Sequence, residues 1–372
     1  MYLFLEEMNK ASELTRAGRL QEATQLIQRA LGKAEADGTP TQAASGNSSD
    51  QVIDVVAREV VDEPPVRPAG RAASAAPPAP APLAAASFER HQYESGGKPY
   101  SYWLYKPGGG DDPAPMPVVV MLHGCTQDGA DFASGTSMNA LAEHRNCLVV
   151  YPEQRQDANS MRCWNWFEPA HQKRGSGEPA MIAGLALEVA AVHHGDTSRI
   201  YVSGLSAGGA MATLVGQLYP DVFAAVGVHS GLPAESARDV VSAMAMMRKP
   251  GAKGASSGSP RPAVPTIVFH GSADRTVHPA NGKRIVLDAV SAIAAAGTVL
   301  EARPGAASQS SRTVRRTVHA SADGKAWVES WEIAGAAHAW AGGHASGSYT
   351  DPQGPDASAA ILDFFLAHRR AT

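Results

Sequence analysis

Three cysteines in 372 residues exclude a disulfide-dense scaffold, and Cys125, Cys147 and Cys163 do not have the spacing of a metal cage. One bridge with one free thiol and a fully reduced set both fit that count. No apolar run approaches the roughly 20 residues that a membrane-spanning helix needs. Charge is sparse as well. Charged residues make up 18% of the chain and the net charge is −4, which leaves no basic field for nucleic acid. The first 31 residues lack the basic, then apolar, then cleavable order of a secretory signal, and Glu6 and Glu7 stand where its apolar core would be. This predicts no export through a cleavable leader and favours a cytoplasmic location. The hydrophobic share, by contrast, is 44%, enough for a full core in one large domain with an appendage or in two ordinary domains.

The chain divides by composition. Residues 1–31 carry Leu14, Leu20, Ala23, Ile27 and Leu31 at helical intervals, broken at Gly18, and predict a short helical hairpin that must dock to bury its apolar side. From 32 to 86 Gly, Ser, Ala and Pro dominate, which predicts a disordered linker, semi-extended where prolines cluster, with a transient helix at 52–61. From 87 to 372 the pattern becomes α/β. Strands are expected at 100–105, 117–122, 147–151, 200–205, 224–228 and 266–270, and a hairpin of 313–320 with 325–333 around Asp323-Gly324. Helices are expected at 139–144, 177–194, 207–218, 285–295 and 355–368, with Ile182, Leu185, Leu187, Val189 and Val192 on the buried side of the second. A Gly/Ser/Pro loop spans 248–264. This alternation implies one doubly wound, mostly parallel sheet, whose sites gather at the C-terminal ends of strands.

One stretch organises the chemistry. Gly204-x-Ser206-x-Gly208 lies between a β-branched strand and a helix with Met211, Leu214 and Leu218 at helical spacing. A serine on such a turn needs neighbours without side chains, and the helix start behind it offers unpaired amides that suit an oxyanion. Its hydroxyl needs a base, and the base an orienting acid. In the fold carrying this turn the order is Ser, acid, His. Asp274, in the loop after 266–270, is the expected acid. Asp221 lies at the wrong end of the sheet, and Asp288 reads as a solvated helix charge. His338, past the strand 325–333, is the expected base, with His344 its rival, while His229, His270 and His278 line the pocket. The amide of Ala207 supplies one oxyanion donor, and that of Cys125 or Thr126, in the loop after 117–122, the other. Trp164, Trp166 and Trp340 form either an apolar platform for substrate or a small satellite core.

Six segments carry a family resemblance. They are Leu122-His123-Gly124-Cys125-Thr126-Gln127, Tyr151-Pro152-Glu153-Gln154, Cys163-Trp164-Asn165-Trp166, Gly204-Leu205-Ser206-Ala207-Gly208-Gly209, His270-Gly271-x-x-Asp274-x-x-Val277 and His338-Ala339-Trp340. In this order over residues 88–368 the chain resembles the polyhydroxybutyrate depolymerase family of esterases in the α/β-hydrolase superfamily. It is similar, too, to feruloyl and acetylxylan esterases. The resemblance implies a serine carboxylesterase without metal or cofactor, with Ser206 as nucleophile, Asp274 as acid and His338 as base. Its substrate would be a hydroxyalkanoate oligomer or an acyl-carbohydrate. It also implies a Cys125–Cys163 bridge. Family members that attack solid polymer are often secreted and carry an extra polymer-binding domain. Neither sign is seen here, which turns the expectation toward soluble oligomers and other small esters. A rival from another class is a non-catalytic protein recruited to a polymer granule or a partner. Oligomeric state is not legible.

Overall fold

A computed structural model of the chain describes residues 85–108, 114–249, 261–306 and 310–370. The expected N-terminal hairpin and all but the last two residues of the expected linker lie outside them, as does most of the 248–264 loop.

The strongest sequence signal, the continuous apolar runs, becomes the centre of a sheet. β1 (Ser87–Ser95), β2 (Lys98–Lys106), β3 (Met116–Leu122), β4 (Leu148–Pro152), β5 (Gly195–Leu205), β6 (Ala225–His229) and β7 (Thr266–Gly271) are joined by β8 (Glu301–Pro304), β9 (Val314–Ala320) and β10 (Ala326–Ile333). Among the described residues they form one sheet in the order β1-β2-β4-β3-β5-β6-β7-β10-β9-β8. The inner strands from β4 to β10 run parallel, and antiparallel strands flank them at both edges.

The helices are α1 (Gly129–Thr136), α2 (Met138–Arg145), α3 (Gly177–Val192), α4 (Ala207–Leu218), α5 (Val240–Arg248), α6 (Ala280–Ala295) and α7 (Ala357–Leu366). A parallel strand covered on both faces has to be apolar on both, and β3 shows it. Val118, Val120 and Leu122 pack into one core with Met181, Leu185 and Val189 of α3 and Met211 and Leu214 of α4. Val119 and Met121 pack into a second with Phe132 of α1, Met138 of α2 and Ile361 and Phe365 of α7. The doubly wound expectation therefore holds. Leu187 and Val192 depart from it, at 41% and 66% exposure. Leu187 sits two residues from both Leu185 and Val189, so the 100° step of a helix turns it away from the sheet.

No described helix is long and apolar enough to cross a membrane. Each parallel strand ends where its neighbour does: Leu122 lies beside Gly204, Leu205 beside His229, His229 beside Phe269 and His270 beside Glu332. Loops leaving these ends therefore share one rim.

At that rim β5 turns directly into α4, and two backbones come very close. A Cβ on Gly208 would lie 2.0 Å from the Leu122 carbonyl oxygen, and one on Gly204 2.4 Å from the carbonyl carbon of Gly208. Backbone cannot swing aside as a side chain can. Gly208→Ala should lower the stability measured by urea unfolding by about 3 kcal/mol; an unchanged midpoint would show that the helix can shift.

Candidate active site

Ser206 is the hinge of that turn. Its φ and ψ are 57° and −118°, a conformation that non-glycine residues rarely occupy and that costs on the order of 1–3 kcal/mol. The surroundings hold it there. Its amide donates to the His229 carbonyl at 2.9 Å, and its own carbonyl accepts from Ala210 to start α4. The side chain lies at the strand ends, 8% exposed. Ala207 follows as the first residue of α4, where amide groups have no partner within the helix.

Asp274 and His338 come together. His338 Nδ1 lies 2.7 Å from Asp274 Oδ2, although 64 residues separate them. Three hydrogen bonds fasten the two loops: Ser272 N–H to the Ile333 carbonyl, Ala273 N–H to the Ala336 carbonyl, and Gly335 N–H to the Ser272 hydroxyl oxygen. The other carboxylate oxygen of Asp274 accepts from the amides of Thr276 at 2.9 Å and Val277 at 2.8 Å. Burial opposes the negative charge, but the hydrogen bonds from His270 and His338 outweigh it and hold the carboxyl well below the usual carboxylate range. It is therefore ionised at neutral pH, and it faces the ring nitrogen of His338.

Two further histidines are structural partners of this pair. His270 Nε2 donates to the Val277 carbonyl at 2.8 Å and sits 3.4 Å from Asp274 Oδ2. His229 links the serine turn to the His338 loop: its carbonyl takes the Ser206 amide, and its Nε2 accepts the Ala341 amide at 3.0 Å. Burial, with His270 and His338 nearby, pushes the His229 ring down to about 3, so it is a neutral strut. His344 is exposed and bonded to Ser346, and His278 is exposed, accepting from Ala280. Neither lies against Asp274. Asp221 pairs with Arg174. Asp288 is not the solvated charge expected, because Arg261 and Arg284 grip it.

The loop after β3 is more constrained than its sequence suggests. The amide of Thr126 donates to the Met161 carbonyl at 2.7 Å, and those of Gly124 and Gln127 are spent inside the loop. Of the two amides that the sequence left open, Thr126 is thus committed elsewhere. Cys125 is bonded to Cys163, which ties this loop to the segment after β4. Behind the bridge, His123 is neutral, its basicity lowered by burial, with Nδ1 on the Gly124 carbonyl and Nε2 accepting from Gln154 N–H. Glu178, in the first turn of α3, is buried and takes the amide and side chain of Asn165.

The three tryptophans are core. Trp164, Trp166 and Trp340 are 0%, 4% and 1% exposed. Trp164 donates to the His123 carbonyl, and Trp340 stacks on His229 and donates to Ser358. The indole N–H groups of Trp164 and Trp340 have found partners inside, and Trp166 packs edge-on against Phe167, so the three leave no platform for substrate and form the satellite core instead.

A family model described as esterase PHB depolymerase matches residues 100–302, from β2 through the serine turn and Asp274 into β8. The chain belongs to this family. A poly(3-hydroxyalkanoate) depolymerase C from Paucimonas lemoignei is 42% identical over 186 residues, covering 47% of this chain and 44% of that protein. A feruloyl esterase B from Thermothelomyces thermophilus is 34% identical over 117 residues, covering 31% and 39%. An acetylxylan esterase A from Talaromyces purpureogenus is 28% identical over 184 residues, covering 44% and 46%. The chain thus spans less than half the length of these relatives. Among solved structures, an acetyl xylan esterase from Aspergillus awamori superimposes with a TM-score of 0.55 at 18% identity, over 75% of this chain and 99% of that one. That likeness shows the α/β-hydrolase fold.

Two outcomes follow for this PHB depolymerase family member. Denatured, unreduced protein should titrate one thiol, that of Cys147, and reduction should cost about 4 kcal/mol of stability for a loop closed across 38 residues; three thiols would remove the bridge. Acid should unfold the protein in two stages. His229 binds its proton more weakly folded than unfolded, so its contribution is complete above about pH 6.5 and is lost as pH falls toward 3. Asp274, with its folded value also depressed, adds a loss below about pH 4. The unfolding free energy from urea titrations should fall by up to about 1.4 kcal/mol per pH unit less steeply between pH 6.5 and 4 in His229→Gln than in the wild type; equal slopes would show that the ring does not titrate on unfolding.

Proposed function

We propose that residues 87–372 form a serine carboxylesterase domain. The observation that carries this is the His338–Asp274 hydrogen bond of 2.7 Å, on the same rim as a serine held in a left-handed turn at the head of a helix. Ser206 Oγ attacks the ester carbonyl while His338 Nε2 takes its proton. Asp274 accepts the Nδ1 hydrogen, fixes the tautomer and stabilises the imidazolium that forms. The carbonyl oxygen becomes an oxyanion, and the amides of Ala207 and Cys125 are its donors. Cys125 is preferred because the Thr126 amide already serves Met161. His338 then returns the proton to the leaving alkoxide, and water, activated by the same imidazole, hydrolyses the acyl-enzyme.

The substrate class is a hydroxyalkanoate oligomer or a related short-chain ester. The support is the 42% identity to a relative named as a poly(3-hydroxyalkanoate) depolymerase, against 34% and 28% for relatives named as feruloyl and acetylxylan esterases. Ser206→Ala should reduce turnover of p-nitrophenyl acetate by about 10⁶-fold and Asp274→Asn by about 10⁴-fold, read as kcat at pH 7.5. Wild-type turnover in Ser206→Ala rejects the mechanism. A 3-hydroxybutyrate trimer should be cleaved in preference to methyl ferulate, and the reverse order moves the substrate to the carbohydrate esters. Inertness to a fluorophosphonate probe, together with granule binding, would point to the non-catalytic reading instead.

A further inference from the structure

With the tryptophans in the core, apolar surface beside the serine has to come from another side chain. The chain after His338 carries one. It crosses back over α1, where Asp131 accepts the Ser348 amide at 2.9 Å and Gln127 Nε2 donates to the Ser348 carbonyl at 3.1 Å. The next residue is Tyr349. Its carbonyl accepts the Trp340 amide at 2.7 Å, two residues past His338. Its hydroxyl lies 3.1 Å from Thr126 Oγ1. Thr126 Oγ1–H already donates to the Cys125 carbonyl at 2.6 Å, so the tyrosine hydroxyl is the donor of that bond. Tyr349 therefore spans from the His338 loop to the loop that carries Cys125.

Two properties set it apart from a packing residue. Its φ is 52°, a region where a bulky side chain is strained and which is retained mainly at functional positions. Thr126, its partner, is left-handed as well, with φ 67°. Yet the ring is not covered by this strained backbone: Tyr349 is 46% exposed. Neither the strain nor the exposure of an aromatic ring favours the free protein. Both make sense if a ligand covers the ring.

We propose that Tyr349 is a specificity-determining residue whose ring packs against the alkyl part of the acyl chain, at the edge of the oxyanion loop. This rests on the esterase reading above. The matching ligand is a short aliphatic ester such as a hydroxyalkanoate unit: the ring supplies apolar area, and its hydroxyl is already occupied by Thr126.

The test uses the full chain and two variants that keep the backbone conformation. Tyr349→Gly removes the ring at a left-handed position that glycine occupies without strain, and Tyr349→Asn does so with a residue that tolerates it. Both should retain the wild-type melting temperature or exceed it. For the 3-hydroxybutyrate trimer, KM should rise about 10-fold in either variant with kcat within about twofold, and the preference for p-nitrophenyl butanoate over the acetate should fall about fivefold. Tyr349→Phe, which keeps the ring, should retain most of that preference. A purely structural tyrosine would change kcat for all three esters alike and leave the preference unmoved, and that result overturns the proposal. A wild-type protein that cleaves none of the three esters overturns the esterase reading and this one with it. An active wild type with unaltered selectivity in both ring-less variants overturns this one alone.

Discussion

The backbone of α4 runs against the ends of β3 and β5, with no room for a Cβ at Gly208 or Gly204, and the rest of the site depends on that contact. The approach forces the residue between them to turn the chain within one peptide, which is why Ser206 sits at φ 57°. The strain is local, but it is opposed by contacts on two strands and by the cores on both faces. Leu122 of β3 crowds Gly208, His229 of β6 takes the Ser206 amide, and two apolar cores clamp the sheet from both faces. A serine placed this way cannot relax into the helix without moving the middle of the fold. Rigidity of this kind favours chemistry that develops charge in place, since fixed amides need not reorganise when the charge appears.

Electrostatics around that turn follow the same economy. Asp274 is a buried carboxylate in the loop after β7, and its four acceptor sites are met by Thr276, Val277, His338 and, at longer range, His270. His229 near it, and His123 just past β3, are kept neutral by burial. They are used as hydrogen-bonding struts of fixed tautomer, with one ring nitrogen donating and the other accepting. A second cation near Asp274 would compete with His338 for its charge. Holding His229 neutral keeps that competition away from His338, whose Nδ1 lies 2.7 Å from the carboxylate.

Much of this was legible in the chain, for reasons that can be named. The parallel strands were readable because burial on both faces demands unbroken apolar runs such as residues 117–122. The helix at 207–218 came out with its observed limits, since glycines mark its start and a proline follows soon after its end. Asp274 and His338 were readable because a parallel sheet sends the loops of neighbouring strands to a common edge. What stayed hidden depended on local bonds that leave little trace in composition. β1, an edge strand with Glu89, Arg90 and His91, carries no apolar run. α1 holds two glycines and is started by the Asp128 side chain capping Asp131. α5 rests on a capping box between Asp239 and Ser242.

The tryptophans and Tyr349 show where such reading fails in kind. The sequence leaves open whether aromatic residues close to a site in the chain face it or fill a core, but large side chains are drawn to the interior whenever their polar atom can be satisfied there. Trp164 finds the His123 carbonyl and Trp340 finds Ser358, so both are buried beneath the rim they flank in sequence. Tyr349 has no such exit. Its hydroxyl is held at the surface by Thr126, and its backbone by Trp340. The buried tryptophans thus fix the loops that the site needs, while the exposed ring is free to meet a ligand. In this domain the aromatics that hold the shape and the aromatic open to a substrate are different residues, separated by where each polar atom finds its partner.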